Sequence, residues 1–198
     1  KTYHQNGKLK TEGNRLNFLL DSLWKFYDTQ GYLTAEISYK DGLKDGYQKL
    51  YNRDSILIKK EMFSANKKNG LSQVFFNSGK IKLRQNFKNN LLEGTSFLFD
   101  TSDKIILITE YNRGVLEFKK EINRKDKFNL RQGIWLNFYK GFEVKSEVKY
   151  LNGLKHGHEK TFKRNGNLIE IIKYSLGIRV IEVKEVFKVS IKSKLSNS

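Results

Sequence analysis

The feature that most constrains this chain is a step of 24 residues that recurs along most of its length. A glycine, or in one case a serine, marks the start of each step, and a single interruption separates the first four steps from the last two. The marking positions are Ser22, Gly46, Gly70, Gly94, Gly133 and Gly157. Self-similarity at a fixed period of this size indicates an array of short structural units.

Bulky apolar side chains recur at three further positions of every unit. An aromatic residue lies five places after each start, an aliphatic residue eleven places after it, and a second aromatic seventeen places after it. In the first full unit these residues are Tyr27, Leu33 and Tyr39. All three offsets are odd, and residues two apart in a strand share a face. We therefore expect the three positions to share one buried face of a sheet.

Turn residues between the first aromatic and the aliphatic position indicate what each unit is. Gly31, Gly79 and Gly166 fall there, and a three-residue loop that ends in glycine suits a bulged hairpin, because glycine accepts positive φ. The spacing predicts an all-β fold, an elongated single antiparallel β-sheet built from tandem 24-residue β-hairpins. Ser55 and Asp103 replace the turn glycine in two units and are expected to loosen those turns.

The repeat pattern also predicts how the chain is divided. Residues 1–189 are expected to form the array, interrupted by an insertion near 116–129 that is either a longer hairpin or an exposed loop. Residues 180–189 resemble a terminal strand that caps the array, and residues 190–198 a polar tail. The chain starts in mid-repeat, so a removed targeting signal stays open. If the N-terminus is native, the lack of a signal peptide favours the cytoplasm.

Composition excludes some chemistry and leaves the meaning of the charge open. Cysteine is absent, which excludes disulfides and thiolate metal sites, and the absence of proline suits a sheet that needs every backbone donor. The formal net charge is +17. This charge indicates an anionic partner, or it reflects lysines that solvate the sheet and guard its edges, or a coding bias toward lysine-rich sequence.

No catalytic, cofactor or metal site is predicted. The chain has no phosphate-binding glycine loop, nucleophile motif or zinc-protease motif. His156 and His158 flank Gly157, but a metal site needs three or four converging ligands. The expected protein is therefore not an enzyme and needs no cofactor.

A basic patch is the predicted binding surface. Lys80, Lys82 and Arg84 alternate along one strand of the Gly70 unit, and neighbouring hairpins add Lys60 and Lys104. Strands about 4.8 Å apart would gather these cations. The insertion supplies further cations, which are Lys119, Lys120, Arg124 and Lys125. The alternative is that these side chains form only a solvated face.

Three stretches resemble a known family. They are GYQKLYNRDS at 46–55, GLSQVFFNSGKIKLRQNFKNN at 70–90 and YLNGLKHGHEKTFKRNGNLIEIIKY at 150–174. They are similar to the MORN repeat variant, and in particular to bacterial proteins labelled YwqK-family antitoxins of toxin–antitoxin systems. The resemblance implies an antiparallel sheet laid down hairpin by hairpin, and a non-enzymatic scaffold or binder.

The expected partners follow from the charge and the resemblance together. A protein partner comes first, in an interaction, scaffolding or antitoxin-like role. The alternative is peripheral binding to an acidic phospholipid membrane through the basic patch. Nucleic acid ranks below both, because the aromatic residues are expected in core positions rather than among the cations. The sequence predicts no oligomeric state.

Overall fold

The computed structural model describes residues 1–180, and every regular element in that range is a β-strand. The strands form antiparallel sheets, as the repeat predicts. The predicted capping strand and polar tail lie outside the described residues, apart from Val180. The chain divides into two compact units, Lys1–Arg124 and Lys125–Ser198.

The first unit holds a twelve-stranded sheet in which strands follow one another in chain order, except that β9 pairs only with β8. Its strands are β1 (Thr2–Tyr3), β2 (Leu9–Leu16), β3 (Leu19–Tyr27), β4 (Leu33–Lys40), β5 (Leu43–Tyr51), β6 (Leu57–Ser64), β7 (Lys67–Phe75), β8 (Ile81–Lys88), β9 (Leu91–Leu92), β10 (Gly94–Phe99), β11 (Ile105–Asn112) and β12 (Val115–Glu121).

The second sheet has six strands, again in chain order. Its strands are β13 (Arg124–Lys125), β14 (Arg131–Phe138), β15 (Val144–Leu151), β16 (Leu154–Phe162), β17 (Leu168–Ser175) and β18 (Ile178–Val180). The short strand β13 spans the division between the two units. The strands therefore form two sheets, where the sequence predicted a single continuous one.

Two kinds of turn alternate along the chain. Corner turns, such as Asp28–Gly31, close each hairpin, and the fourth residue has positive φ whether it is Gly31, Ser55 (φ 59°) or Asp103 (φ 64°). Link turns join one hairpin to the next, and both of their two residues have positive φ, as in Asp41 (φ 50°) and Gly42 (φ 78°). Such two-residue turns match the twist of antiparallel strands.

A bulge beside each corner turn separates the two aromatic positions. Tyr27 lies opposite Leu33, but Phe26 lies opposite Ala35, so β4 has one extra residue there. A bulge of this kind reverses the alternation of side chains. Tyr39 and Tyr27 therefore lie on opposite faces, and the prediction that all odd offsets share one face was wrong. We name the two faces of the first unit the Trp24 face and the Tyr27 face.

The Trp24 face carries the main buried row of the first unit. Directly opposite residues of antiparallel strands share a face, and the register places Trp24, Ile37, Gln48, Glu61 and Ser72 side by side. Four of these five side chains are buried, Gln48 being the exception. The Trp24 indole covers Gly13, where a Cβ would lie 2.4 Å from the ring. In the second unit, Trp135 and Val148 take the equivalent buried places.

The predicted insertion is mostly strand, and its pairing with β11 differs from the pairing in the regular repeats. In the regular repeats, the residues around a glycine such as Gly46 (φ 104°) are left unpaired in the ladder with the preceding strand. A Cβ added at Gly46 would lie 2.9 Å from Ser38. In β12 that glycine is missing, and a single extra residue separates Leu116 from Phe118 in the pairing with β11. The chain then turns at Asn123 (φ 55°) and begins the second sheet.

Candidate anion-binding surface

One row of side chains crosses the Tyr27 face of the first unit from strand to strand. Each of its residues lies directly opposite the next on the neighbouring strand, and in order they are Glu12, Lys25, Glu36, Lys49, Lys60, Gln73, Arg84, Phe97, Ile108 and Lys120. The row begins with alternating acids and bases, and past Lys49 it contains no carboxylate. Its charge is therefore balanced at one end and basic in the middle.

The carboxylates at the balanced end are fully engaged. Tyr27 Oη donates to Glu12 Oε1 at 2.7 Å, and Tyr51 Oη donates to Glu36 Oε2 at 2.8 Å. Lys49 Nζ lies 3.1 Å from the same Glu36 oxygen. Burial alone would raise the pKa of Glu36, but the hydrogen bonds from Tyr51 and Lys49 outweigh it and hold that pKa below its usual value.

Lys60 and Arg84 flank Gln73 in the basic part of the row. They lie on alternate strands, two strand spacings or about 10 Å apart. Lys82 precedes Arg84 by two residues on β8 and is the unpaired residue of the bulge in that strand, between Ile81 and Leu83. Lys60 Nζ lies 4.0 Å from the ring centroid of Tyr47, and Lys82 Nζ lies 5.8 Å from that of Phe76. We name Lys60, Gln73, Lys82 and Arg84 the basic row.

Lys80 and Lys104 occupy corner turns at the ends of strands. Lys80 Nζ donates to the Thr101 carbonyl and pairs with Asp103 Oδ2, both at 3.2 Å. This contact joins two successive corner turns and takes up part of the charge of Lys80. Lys104 lies immediately before β11, and its amide donates to Asp100 Oδ1 at 2.9 Å. Between the two turns lies an open groove of about 590 Å³ lined by Phe75, Phe76, Asn77, Ser78, Lys80, Lys82 and Thr101.

The structure disperses the predicted cations of the insertion. Lys120 continues the row of the Tyr27 face, opposite Ile108, whereas Lys119 lies opposite Thr109 on the Trp24 face. Arg124 pairs with Glu121 at 2.9 Å, and Lys125 donates to Asn129 at 2.7 Å. Arg124 and Lys125 form β13 of the second sheet. The nine predicted residues therefore do not form one cluster.

A second set of cations escaped the sequence interpretation. These cations lie on the Trp24 face and on the equivalent face of the second unit. Each stands two residues before the start of a 24-residue repeat and lies over the second aromatic residue of that repeat. The pairs are Lys44 with Phe63, Lys68 with Phe87, Arg131 with Tyr150 and Lys155 with Tyr174, at 4.7 to 5.1 Å. The signal was present as the 24-residue spacing of Lys44 to Lys68 and of Arg131 to Lys155.

These stacked cations are also held by acceptors within the sheet. Lys44 Nζ donates to Gln48 Oε1 at 2.7 Å, and Lys155 Nζ donates to Glu159 Oε2 at 2.6 Å. Lys68 Nζ lies 2.8 Å from the carboxylate of Glu61, which is only 3% exposed. Burial would raise the pKa of Glu61, but Lys68 and Lys59 outweigh that effect and lower it. The cations of this face therefore serve packing.

The described residues offer little for metal or membrane-spanning chemistry. Within residues 1–180, histidine and acidic side chains form no group of three or more that could hold a metal ion. No helix in that range is long and apolar enough to cross a membrane. The chemistry available at the basic row is thus recognition of an anionic group, by one guanidinium, two ammonium groups and an amide.

Comparison with known proteins supports the repeat and little beyond it. The model of the MORN repeat variant matches residues 1–17, 68–89 and 155–175. The second of these stretches includes Lys80, and it includes β8 with Lys82 and Arg84. A search of curated proteins found no match. Repeats of this kind are generally associated with protein or membrane binding and are typically non-catalytic. The resemblance to proteins of known role extends to this general association.

Proposed function

We propose that the chain is a non-enzymatic interaction or scaffolding module whose protein partner meets the Tyr27 face of the first unit. The observation that supports the proposal is the loss of carboxylates along the row after Lys49, because it leaves Lys60 and Arg84 beside Gln73 on an open sheet. The partner surface that fits this row is acidic. Arginine and amide side chains on strands are well suited to such recognition, since they can bind carboxylates at fixed spacing.

A triple charge reversal of the basic row tests this proposal. The variant Lys60→Glu, Lys82→Glu, Arg84→Glu removes the three cations and keeps the strand pairing. The matched control is Lys40→Glu, Lys67→Glu, Lys88→Glu, which changes net charge equally at exposed strand ends. Each chain is immobilised in lysate from its source cells, and retained proteins are identified by mass spectrometry. We expect one protein to be retained by the parent and the control and lost from the reversed row.

The antitoxin-like form of the proposal has its own measurement. If the retained protein is a toxin, then its expression arrests growth, and co-expression of the parent chain restores growth while the reversed-row variant does not. Equal retention by the reversed row and the control would mean that the basic row is only a solvated face. The interaction would then have to use another surface.

Binding to acidic phospholipid is the second candidate, and the same basic row favours it. Each basic contact near an anionic bilayer contributes about 1 kcal/mol. Vesicles with and without phosphatidylserine separate the two candidates, because membrane binding is expected to need the anionic lipid whereas the acidic protein partner is retained without any lipid. Both interactions use the same cations, so both are expected to weaken as salt rises from about 0.1 M to about 0.5 M and the Debye length falls from about 10 Å to below about 5 Å.

The ground for ranking nucleic acid last was partly wrong. Tyr47 and Phe76 lie beside Lys60 and Lys82, so aromatic rings do occur among the cations of this face. Both rings are already covered by those ammonium groups, which leaves less of each ring for a stacked base. A single-stranded oligonucleotide therefore belongs in the same assay, and retention that competes with the protein partner would locate both on the basic row.

A further inference from the structure

Four corner turns are closed by a side-chain oxygen of their own first residue. That oxygen accepts hydrogen bonds from the backbone amides two and four places further along, as aspartate and asparagine commonly do in turns. Asp100 Oδ1 accepts from the Ser102 amide at 2.8 Å, from the Ser102 hydroxyl at 2.8 Å and from the Lys104 amide at 2.9 Å. In the other three turns the two amide bonds are 2.9 to 3.0 Å long, and the accepting residues are Asp28, Asn52 and Asp126.

The corner turn at residues 76–79, which we name the Phe76 turn, has the same donors and lacks that oxygen. Phe76 takes the place that Asp100 has one repeat later, and the residues two and four places further along are again a serine and a lysine, Ser78 and Lys80. The backbone closes in the same way, because the Gly79 amide donates to the Phe76 carbonyl at 2.9 Å. Within residues 1–180, no acceptor meets the Ser78 amide, the Ser78 hydroxyl or the Lys80 amide.

The remaining corner turns have an oxygen from another residue. In the turns that begin at His4 and Lys163, the third residue is an asparagine, which accepts from the amide two places later at 3.1 Å. In the turn that begins at Tyr139, the carboxylate of Glu143 lies over Gly141, where an added Cβ would clash with it. Among the corner turns of the described residues, the Phe76 turn is therefore the one without an oxygen of its own.

The donors of the Phe76 turn line a groove. Ser78 and Lys80 are both exposed and border the groove of about 590 Å³ between this turn and the next. Lys82 lines it too, and within residues 1–180 its ammonium group meets the Phe76 ring and no carboxylate. Phe75 and Phe76 supply an apolar wall. The groove thus combines three hydrogen-bond donors without an acceptor, one cation and apolar surface.

We propose that the groove at the Phe76 turn is a binding site for a carboxylate, which places one oxygen where Asp100 Oδ1 lies in the next repeat. That oxygen accepts from the Ser78 amide, the Ser78 hydroxyl and the Lys80 amide, and the ammonium group of Lys82 offsets its charge. The stem that carries the carboxylate lies along the apolar wall. This inference rests on the proposed function, because the carboxylate is an aspartate or glutamate side chain of the acidic partner protein.

The next repeat shows that this set of donors favours an ionised carboxylate. Burial would raise the pKa of Asp100, but the hydrogen bonds from the Lys104 amide and from Ser102 outweigh it and lower that pKa. In three of the four turns that are closed by their first residue, the oxygen belongs to an aspartate. The fold therefore uses this arrangement for carboxylates, which is the reason for choosing a carboxylate over a phosphate.

Two substitutions of Phe76 test the site without changing its charge. Phe76→Asn supplies the missing oxygen, as Asn52 does in its own turn. Phe76→Leu has a side chain of nearly the same shape and no oxygen, and both variants keep Lys80 and Lys82. The probe is N-acetyl-aspartate methylamide, titrated into the isotope-labelled full chain while backbone amide resonances are followed. N-acetyl-asparagine methylamide and methyl phosphate are the comparison ligands, and the same spectra report whether each variant is folded.

In the parent and in Phe76→Leu, the aspartate probe should shift the amide signals of Ser78 and Lys80 until they saturate. The corresponding signals of Ser102 and Lys104 should stay in place, because these amides already have an acceptor. In Phe76→Asn the affinity should fall by about tenfold or more, since hydrogen bonds to a charged group are lost. The asparagine probe should give no saturable shift in any of the three chains.

Equal affinity of the aspartate probe for Phe76→Asn and Phe76→Leu would overturn the inference, because the lysines alone would then attract the anion. Tighter binding of methyl phosphate than of the aspartate probe would overturn the choice of a carboxylate. Retention of the partner from lysate should be weaker for Phe76→Asn than for Phe76→Leu, and equal retention would exclude the partner as the source of the carboxylate.

The two proposals can fail separately, because the probe titration does not use the partner. If the probe fails while reversal of the basic row still abolishes retention, the interaction role stands and the groove is excluded. If the parent retains no protein, the proposed function fails, and a saturable shift at Ser78 and Lys80 still supports the carboxylate site.

Discussion

At the scale of single residues, Tyr27 and Tyr51, which precede two of the corner turns, act through their hydroxyl groups. Burial and the hydrogen bond to the Glu36 carboxylate raise the pKa of Tyr51 to about 12. The hydrogen bond to Glu12, with burial, does the same for Tyr27. The aromatic spacing predicted bulky side chains at these places, but it did not show that they tie carboxylates to the next hairpin.

Tyr51→Phe should change how stability depends on alkaline pH. A folded-state pKa above the ordinary value of 10 means that the contribution of Tyr51 is complete below pH 10 and is lost as pH rises toward about 12. The variant should therefore lose less unfolding free energy over that window than the parent does. Urea melts at a series of pH values measure the difference, with exposed Tyr32→Phe as the control. Identical pH profiles for parent and Tyr51→Phe would contradict the assigned hydrogen bond.

At the scale of the element, the corner turn demands one left-handed residue whatever the sequence supplies. Ser55 takes φ +59° there, and Gly79 takes φ +80° in the next unit. A side chain in this conformation destabilises the folded state by about 1–2 kcal/mol. Glycine avoids that strain, but it loses more conformational entropy on folding, which offsets part of the gain. The missing glycine marked such turns in the sequence, and the loosening expected there stays a prediction.

Exchanging the two residues tests this cost in both directions. Ser55→Gly should raise the unfolding free energy by up to about 1 kcal/mol, and Gly79→Ser should lower it by a similar amount. The second change is free of steric conflict, because a Cβ at Gly79 meets nothing within 4 Å. Denaturant melts of the two single variants and of the double variant provide the comparison. A loss of stability in Ser55→Gly would refute the strain.

The element scale also shows where prediction from sequence stopped. The hairpins, their order and the pairing of Tyr27 with Leu33 follow from spacing and turn chemistry. The assignment of faces does not, because one unpaired residue beside each corner turn reverses the alternation, and no residue type marks it. Trp24 and Arg84 therefore lie on opposite faces, although both stand at even offsets from the starts of their repeats.

The same reversal, together with the missing bulge glycine of β12, decides which of the predicted site residues share a face. Lys60 and Arg84 share a face because both are paired with Gln73, whereas Lys82 is the unpaired residue of the bulge in β8. Lys119 and Lys120 alternate across the sheet in a register that the insertion shifts by one residue. The ion pair between Lys80 and Asp103 depends on how successive corner turns lie against each other. The spacing of residues in the sequence does not predict that arrangement.

At the scale of the whole molecule, the chain contains two sheets with separate strand order. In repeat arrays each unit is stabilised mainly by its neighbours in sequence. A break in the ladder after β12 therefore interrupts the path along which stability spreads, at least within the described strands. The division after Arg124 follows the same break.

A fragment of residues 1–124 should fold by itself. It contains all twelve strands of the first sheet and the whole basic row, so it keeps every nearest-neighbour interface of that unit. We expect a β-type far-ultraviolet circular dichroism spectrum and a cooperative urea transition. A fragment with the spectrum of an unfolded chain would show that the first unit needs the rest of the protein.

Each hairpin carries its own corner turn, bulge and link turn, and this has a consequence for how the chain can change length. Deletion of residues 46–69 joins Asp45 to Gly70, a junction of the same kind as Asp45 to Gly46. Every side chain that remains keeps its face, because a complete unit has been removed with its bulge. A chain of this kind can thus be shortened or extended by whole 24-residue units and still fold.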